Sequence, residues 1–245
     1  MTRRRALVGT VAVLLLAGAA GAAGVWYFFS GHAPGSASID QAANVVASGD
    51  PIASSGTGNS TGDLNGTWNV DTSIGSYSDF TSTWAGFRVE EVLSNIGNNT
   101  AIGRTPNVSG TLTLNGQTLS AASISVDLTS ITSDQPRRDP AIQRTLETST
   151  YPIATFDLTQ PISLPQAPAE GVTYNVTGVG NMTVHGVTKQ VTVALQAELK
   201  NGVIVVVGST PFSFADYEMT APAAPVVLSV SDSGTIEFQL FLTRP

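Results

Sequence analysis

The stretch "VTVALQAELKNGVIVVVG", residues 191 to 208, constrains the fold more than any other part of this chain. Val191, Val193, Leu195, Ala197 and Leu199 recur at every second position, which sets them on one face of an extended strand. Asn201-Gly202 follows, a dipeptide that accepts the positive φ angles of a tight hairpin turn. The device recurs in "TLTLNGQTL" (111 to 119), where Leu112 and Leu114 share a face and the chain turns at Asn115-Gly116. Ile124, Val126 and Leu128 alternate in "SISVDL", and Ile236, Phe238, Leu240 and Leu242 in "TIEFQLFL". Roughly eight or nine strands at hairpin spacing predict an antiparallel all-β architecture from residue 67 onward.

The N-terminus has another texture. Arg3, Arg4 and Arg5 precede "ALVGTVAVLLLAGAAGAAGVWYFF", residues 6 to 29, which carries no charge. At a rise of about 1.5 Å per residue this run is long enough to cross a hydrocarbon core of roughly 30 Å. It is expected as a transmembrane signal-anchor. Residues 1–5 would form a cytoplasmic basic stub, and Trp26 to Phe29 an aromatic belt at the far interface. A cleaved signal peptide is the rival reading, since "AGAAGAAG" offers small residues for processing. Under both readings the remainder is exported, and is secreted if the segment is cleaved. Residues 30–66, rich in Gly, Ser, Ala and Asn, are expected as a flexible linker.

Composition excludes several functions. Three of the eleven basic residues lie at 3 to 5, leaving eight against eighteen acidic ones downstream. Nucleic-acid phosphates would be repelled by that balance. The chain has no cysteine, so disulfides, thiol nucleophiles and Cys-type zinc sites are absent. No G-x-S-x-G elbow, phosphate-cradling loop, dinucleotide fingerprint or His/Asp metal spacing occurs. His185, in "TVHGVTKQ", reads as a structural turn residue rather than a catalytic base. The reading is therefore of a non-enzyme with no cofactor.

The scarce charges gather in "RRDPAIQRTLETSTYPIATF", residues 137 to 156. Asp139 is placed to cap a helix, Pro140 suits its first turn, and Ile142 and Leu146 fall four apart on one face. Tyr151-Pro152 enforces an extended backbone before the next strand. This segment reads as cap, short helix and strand entrance rather than as a catalytic centre.

Seven motifs occur in a characteristic order: "TWNVD" (67–71), "FRVEE" (87–91), "GRT" (103–105), "RRD" (137–139), "YPIATF" (151–156), "GNMTVHGVTKQV" (180–191) and "FSFADYEM" (212–219). Together they resemble the YceI-like family over about residues 66–244. The resemblance implies an eight-stranded lipocalin-like barrel with a short helix, whose interior holds an isoprenoid chain such as a polyprenyl lipid or quinone tail. Family members are typically extracytoplasmic and not generally catalytic. One departure is that "TSIGSY" stands where the family often has a histidine-serine pair.

An eight-stranded barrel has room for side chains or one slender guest. Alternation offers Phe80, Trp84, Phe87, Val89, Val126, Leu128, Phe156, Phe212 and Phe214 as candidate lining, with Trp84 near a mouth. Arg137 and Arg138 are candidates to face a ligand head group. The resulting expectation is a membrane-tethered lipid-binding domain over 67–245. The alternative is a tethered cell-envelope interaction module that uses the barrel only as a scaffold.

Overall fold

Eleven strands and two short α-helices make up the computed structural model, which describes residues 33–49, 64–94, 96–223 and 227–244. Helix α1 (Ile39–Ser48) precedes β1 (Gly66–Asp71), β2 (Trp84–Leu93), β3 (Gly97–Thr105), β4 (Val108–Asn115) and β5 (Thr118–Asp127). After α2 (Asp139–Thr145) come β6 (Ile153–Leu158), β7 (Ile162–Ser163), β8 (Thr173–Val184), β9 (Val187–Lys200), β10 (Val203–Ser213) and β11 (Val227–Thr243). Every pairing between these strands is antiparallel.

The strands close into eight staves. β11 is long enough to pair along one edge with β2, through Val227–Gln239, and then with β1, through Phe241–Thr243. β1 and β2 thus share a stave. β3 and β4 share the next, since β3 continues β2's neighbourhood and β4 pairs β1. β6 and β7 both pair β5 at successive levels. The β1–β11 pairing shuts the cylinder, while β3 pairs with β2 alone among the strands and its other edge carries a single bridge, Arg104 with Thr132.

Tight turns follow the local chemistry. Asn201 and Gly202 (φ 49° and 78°) join β9 to β10, and His185 and Gly186 (φ 52° and 74°) join β8 to β9. The first hairpin turns one residue later than expected. Asn115 stays in β4 opposite Thr118, and Gly116-Gln117 forms the turn, because a bulge at Thr113/Leu114 shifts the register.

Two expectations need correction. The flexible linker expected over 30–66 does not hold for residues 33–49, where α1 packs on the outside of β9 and β10. Ile39, Ala42, Ala43 and Val46 are buried at i, i+3, i+4, i+7 spacing. In the sequence that narrow stripe is obscured by the surrounding Gly and Ser. Asp139 does not cap α2, whose N-cap position is Arg138. Its carboxylate instead accepts from the backbone N–H and the hydroxyl of Ser133, at 2.7 and 2.6 Å, and ties down the loop before the helix. Ile142 and Leu146 are buried as expected. The apolar run 6–29 lies outside the described residues. Among the described residues, no helix is long and apolar enough to cross a membrane.

Candidate functional site

Strand alternation divides the molecule into an inner and an outer buried region. On β2 the odd residues Ala85, Phe87, Val89, Glu91 and Leu93 face the lumen. On β11 the even residues Ile236, Phe238 and Leu240 do so. One end of the lumen is filled by Trp68, Leu112, Leu114, Leu199, Ile204 and Leu242, which pack together. Towards the other end a cavity of about 300 Å³ remains, within the ordinary range of ligand pockets. α2, Ile131 and the turn at Phe214–Tyr217 surround its mouth.

The cavity survives because its aromatic rings lie along the wall. Phe87 is directly opposite Gly103, Phe238 opposite Gly208 and Phe212 opposite Gly234. Phe156 lies diagonally across Gly180. A methyl group on any of these glycines would run into the ring beside it. Each glycine therefore supplies the close approach that lets a phenylalanine lie flat instead of projecting into the bore. The rings bury large apolar area without plugging the space.

Of the expected lining residues, Phe87, Val89, Val126, Leu128, Phe156, Phe212 and Phe214 do lie on the cavity wall. Phe80 and Trp84 do not, and their assignment is corrected. Trp84 has the opposite parity to Phe87 and Val89, so it points outward. It is buried there with the Arg104 guanidinium 3.8 Å above its ring, and its indole N–H donates to the Phe80 carbonyl at 3.2 Å. Phe80 ends a short 3₁₀ turn with φ 58° and lies 4.7 Å from the same guanidinium. The segment 72–77, where the histidine-serine pair is missing, also lies on this outer side. Ile74 packs with the outer cluster, and the Tyr77 hydroxyl donates to the Arg104 carbonyl at 2.6 Å.

Arg137 and Arg138 both border the cavity mouth. Arg138 donates to Glu91 at 2.6 Å and to Asp134 at 2.8 Å. Glu91 also accepts from the Asn99 amide at 2.7 Å. A buried carboxylate in an apolar wall requires such partners. Burial pushes the Asp134 carboxyl above its ordinary value despite the Arg138 charge beside it. Sequence reasoning misses Glu91, although it follows Phe87 and Val89 at the same parity. Met182, Val184 and Ile236 also line the cavity. The Phe-Gly register escapes a reading of the sequence because it depends on which strands are neighbours.

His185 is held as a turn residue. Its Nδ1–H donates to the Tyr217 carbonyl at 3.0 Å, its ring packs on Tyr151, and Nε2 lies 3.5 Å from a Glu147 oxygen. Its hydrogen-bond partner is a backbone carbonyl rather than a nucleophile.

The geometry defines a class: a closed antiparallel barrel with one apolar chamber, sealed at one end and open at the other. The chain belongs to the YceI-like family, whose domain model matches residues 68–242. Its fold is similar to a polyisoprenoid-binding domain from Saccharophagus degradans, at 20% identity and a TM-score of 0.55, covering 74% of this chain and 99% of that one. Burkholderia cenocepacia BcnA aligns at 20% identity and a TM-score of 0.48, covering 64% of this chain and 95% of that one. No match is found among curated proteins.

Proposed function

We propose that this protein is a membrane-tethered, extracytoplasmic carrier that holds the hydrocarbon part of an isoprenoid-type lipid in its barrel, without chemistry. The observation that carries the reading is the apolar cavity kept open by the four Phe-Gly contacts. An unbranched or methyl-branched chain gains about 0.8 kcal/mol for each CH₂ removed from water, and a dry wall demands no polar partner from it. The similarity to a polyisoprenoid-binding domain selects isoprenoid chains as the class to test first. The tether rests on the uncharged run 6–29 behind three arginines. Arg137 and Arg138, both at the mouth, are the candidate contacts for a polar head group.

The full chain, purified from membranes in detergent, is expected to release an isoprenoid lipid on organic extraction, identified by mass spectrometry. Extraction of no apolar molecule, together with failure to take up a polyprenyl probe, would overturn the carrier reading and leave the barrel as a scaffold.

A further inference from the structure

Residues 33–48 run down the outside of the barrel on a fixed course. At its start, Arg88 Nη2 donates to the Pro34 carbonyl and Arg104 Nη2 to the Gly35 carbonyl, both at 2.7 Å. Both guanidiniums also reach Glu237, Arg104 at 2.8 Å and Arg88 at 3.4 Å. Arg104 is opposite Gly86, two positions further from the open mouth than Arg88. The chain therefore descends from Pro34 to Gly35. It continues down through α1 until the Val46 carbonyl accepts from Asn201 at the turn of the sealed end.

Only Ser30, Gly31 and His32 separate Ala33 from the end of the apolar run at Phe29. Those few residues span at most roughly 14 Å when extended. On β2, Arg88 lies five residues below the rim residue Leu93, roughly 16 Å along the strand. A span of that length from Ala33 is enough to cover most of the distance to the mouth.

The mouth rim also carries exposed apolar groups. Among the described residues, the large apolar side chains left exposed are Ile153 (43%) and Leu228 (68%), and both lie on this rim. Ile153 begins β6 opposite Asp127, and Leu228 lies next to Val227, the partner of Leu93. The sequence between Glu218 and Asp232 has no charge. The sealed end bears Lys200 and Arg244 and the polar turns at Gly116-Gln117 and Asn201-Gly202, while the charges beside the mouth, Arg137, Arg144, Glu147 and Glu218, are of both signs.

We infer that residues 33–48 are an orienting strap that holds the open mouth against the lipid bilayer, with Ile153 and Leu228 seated among the head groups, so that a guest passes between membrane and lumen without crossing bulk water. This inference rests on the tether reading above. An extended linker would let the barrel tumble, whereas a strap pinned by Arg104, 1% exposed, and the half-buried Arg88 keeps the barrel close to the membrane end of the chain.

The absence of cysteine makes the test clean. The full chain, carrying Leu228→Cys or Gln117→Cys with an environment-sensitive fluorophore, is reconstituted into phosphatidylethanolamine/phosphatidylglycerol vesicles that contain head-group nitroxide lipid. Quenching at position 228 is expected to exceed that at 117 severalfold. Inserting ten Gly/Ser residues between His32 and Ala33 is expected to collapse the difference while leaving the barrel's circular dichroism unchanged. Equal quenching, stronger quenching at 117, or none at either position in protein that floats with the vesicles overturns the orientation and leaves the tether standing. Protein that does not float overturns the tether, and the orientation with it.

Discussion

β2 and β11 each separate two buried environments that differ in kind. Inward, Phe87, Val89, Ile236 and Phe238 form a wall around unfilled space. Outward, Trp84, Arg88, Glu237, Gln239 and Phe241 are packed beneath α1 and the segment before β2, with Arg104 of the neighbouring strand. The Gln239 amide alone donates to the Phe80, Thr81 and Ser82 carbonyls. The outer region uses its polar groups to fix one arrangement, with the terminal guanidinium nitrogens of Arg88 and Arg104 bonded to the chain itself. The inner region has little to satisfy and keeps room for something else. Structure is therefore pinned from outside, and the lumen is left free to accept a guest.

The largest expected effect breaks the outer side. Glu237→Ala leaves Arg104, 1% exposed, without its carboxylate, and should cost about 3–5 kcal/mol of unfolding free energy. Urea denaturation measures it, and a loss under about 1 kcal/mol would mean that the outer network is not what holds the strap. Arg138→Ala probes the one place where the inner wall carries charge. It strips Glu91 of its cationic partner, leaving the Asn99 amide, and should cost about 1.5–3 kcal/mol, less than the outer change because Arg138 is partly solvated. Ala154→Trp puts an indole into the cavity. Because it fills space already present, stability should move by no more than about 1.5 kcal/mol, while co-purifying lipid falls severalfold by mass spectrometry. Lipid retained in full would place the guest elsewhere.

The smallest effect is a slope. Burial keeps Asp134 protonated to higher pH in the folded chain than in the unfolded one. Its favourable contribution is thus complete below the unfolded pKa and is lost as pH rises through the folded value. Asp134→Asn should flatten the decline of melting temperature with pH across that interval. An unchanged slope would assign it to other groups.

Much of this contrast is legible in the amino-acid sequence. Alternation marks the strands and sets Ile236, Phe238 and Leu240 on one face, since period-two patterning is a direct imprint of a wall with two sides. It fails where two signals compete. Phe80 and Trp84 resemble lining because they are aromatic, yet parity along β2 sends Trp84 outward. Glu91 does not stand out as lining because it is charged, although the same parity sends it inward. The stripe Ile39-Ala42-Ala43-Val46 is diluted by its small residues, and its burial depends on Val203, Val205 and Phe241, more than 150 positions away. The Phe-Gly contacts that hold the cavity open join residues on different strands, so no local pattern announces them.

The pairing of Val70 with Leu242 has a consequence in time. The barrel is shut by strands from opposite ends of the domain, so closure waits until nearly the whole chain is available, and the search for so distant a partner makes it slow. Until then the wall is an open sheet with its apolar face uncovered. Under the carrier proposal loading is thus a late event: a guest either arrives through the mouth of a finished barrel, or is present at the moment the last strand docks and is enclosed by it.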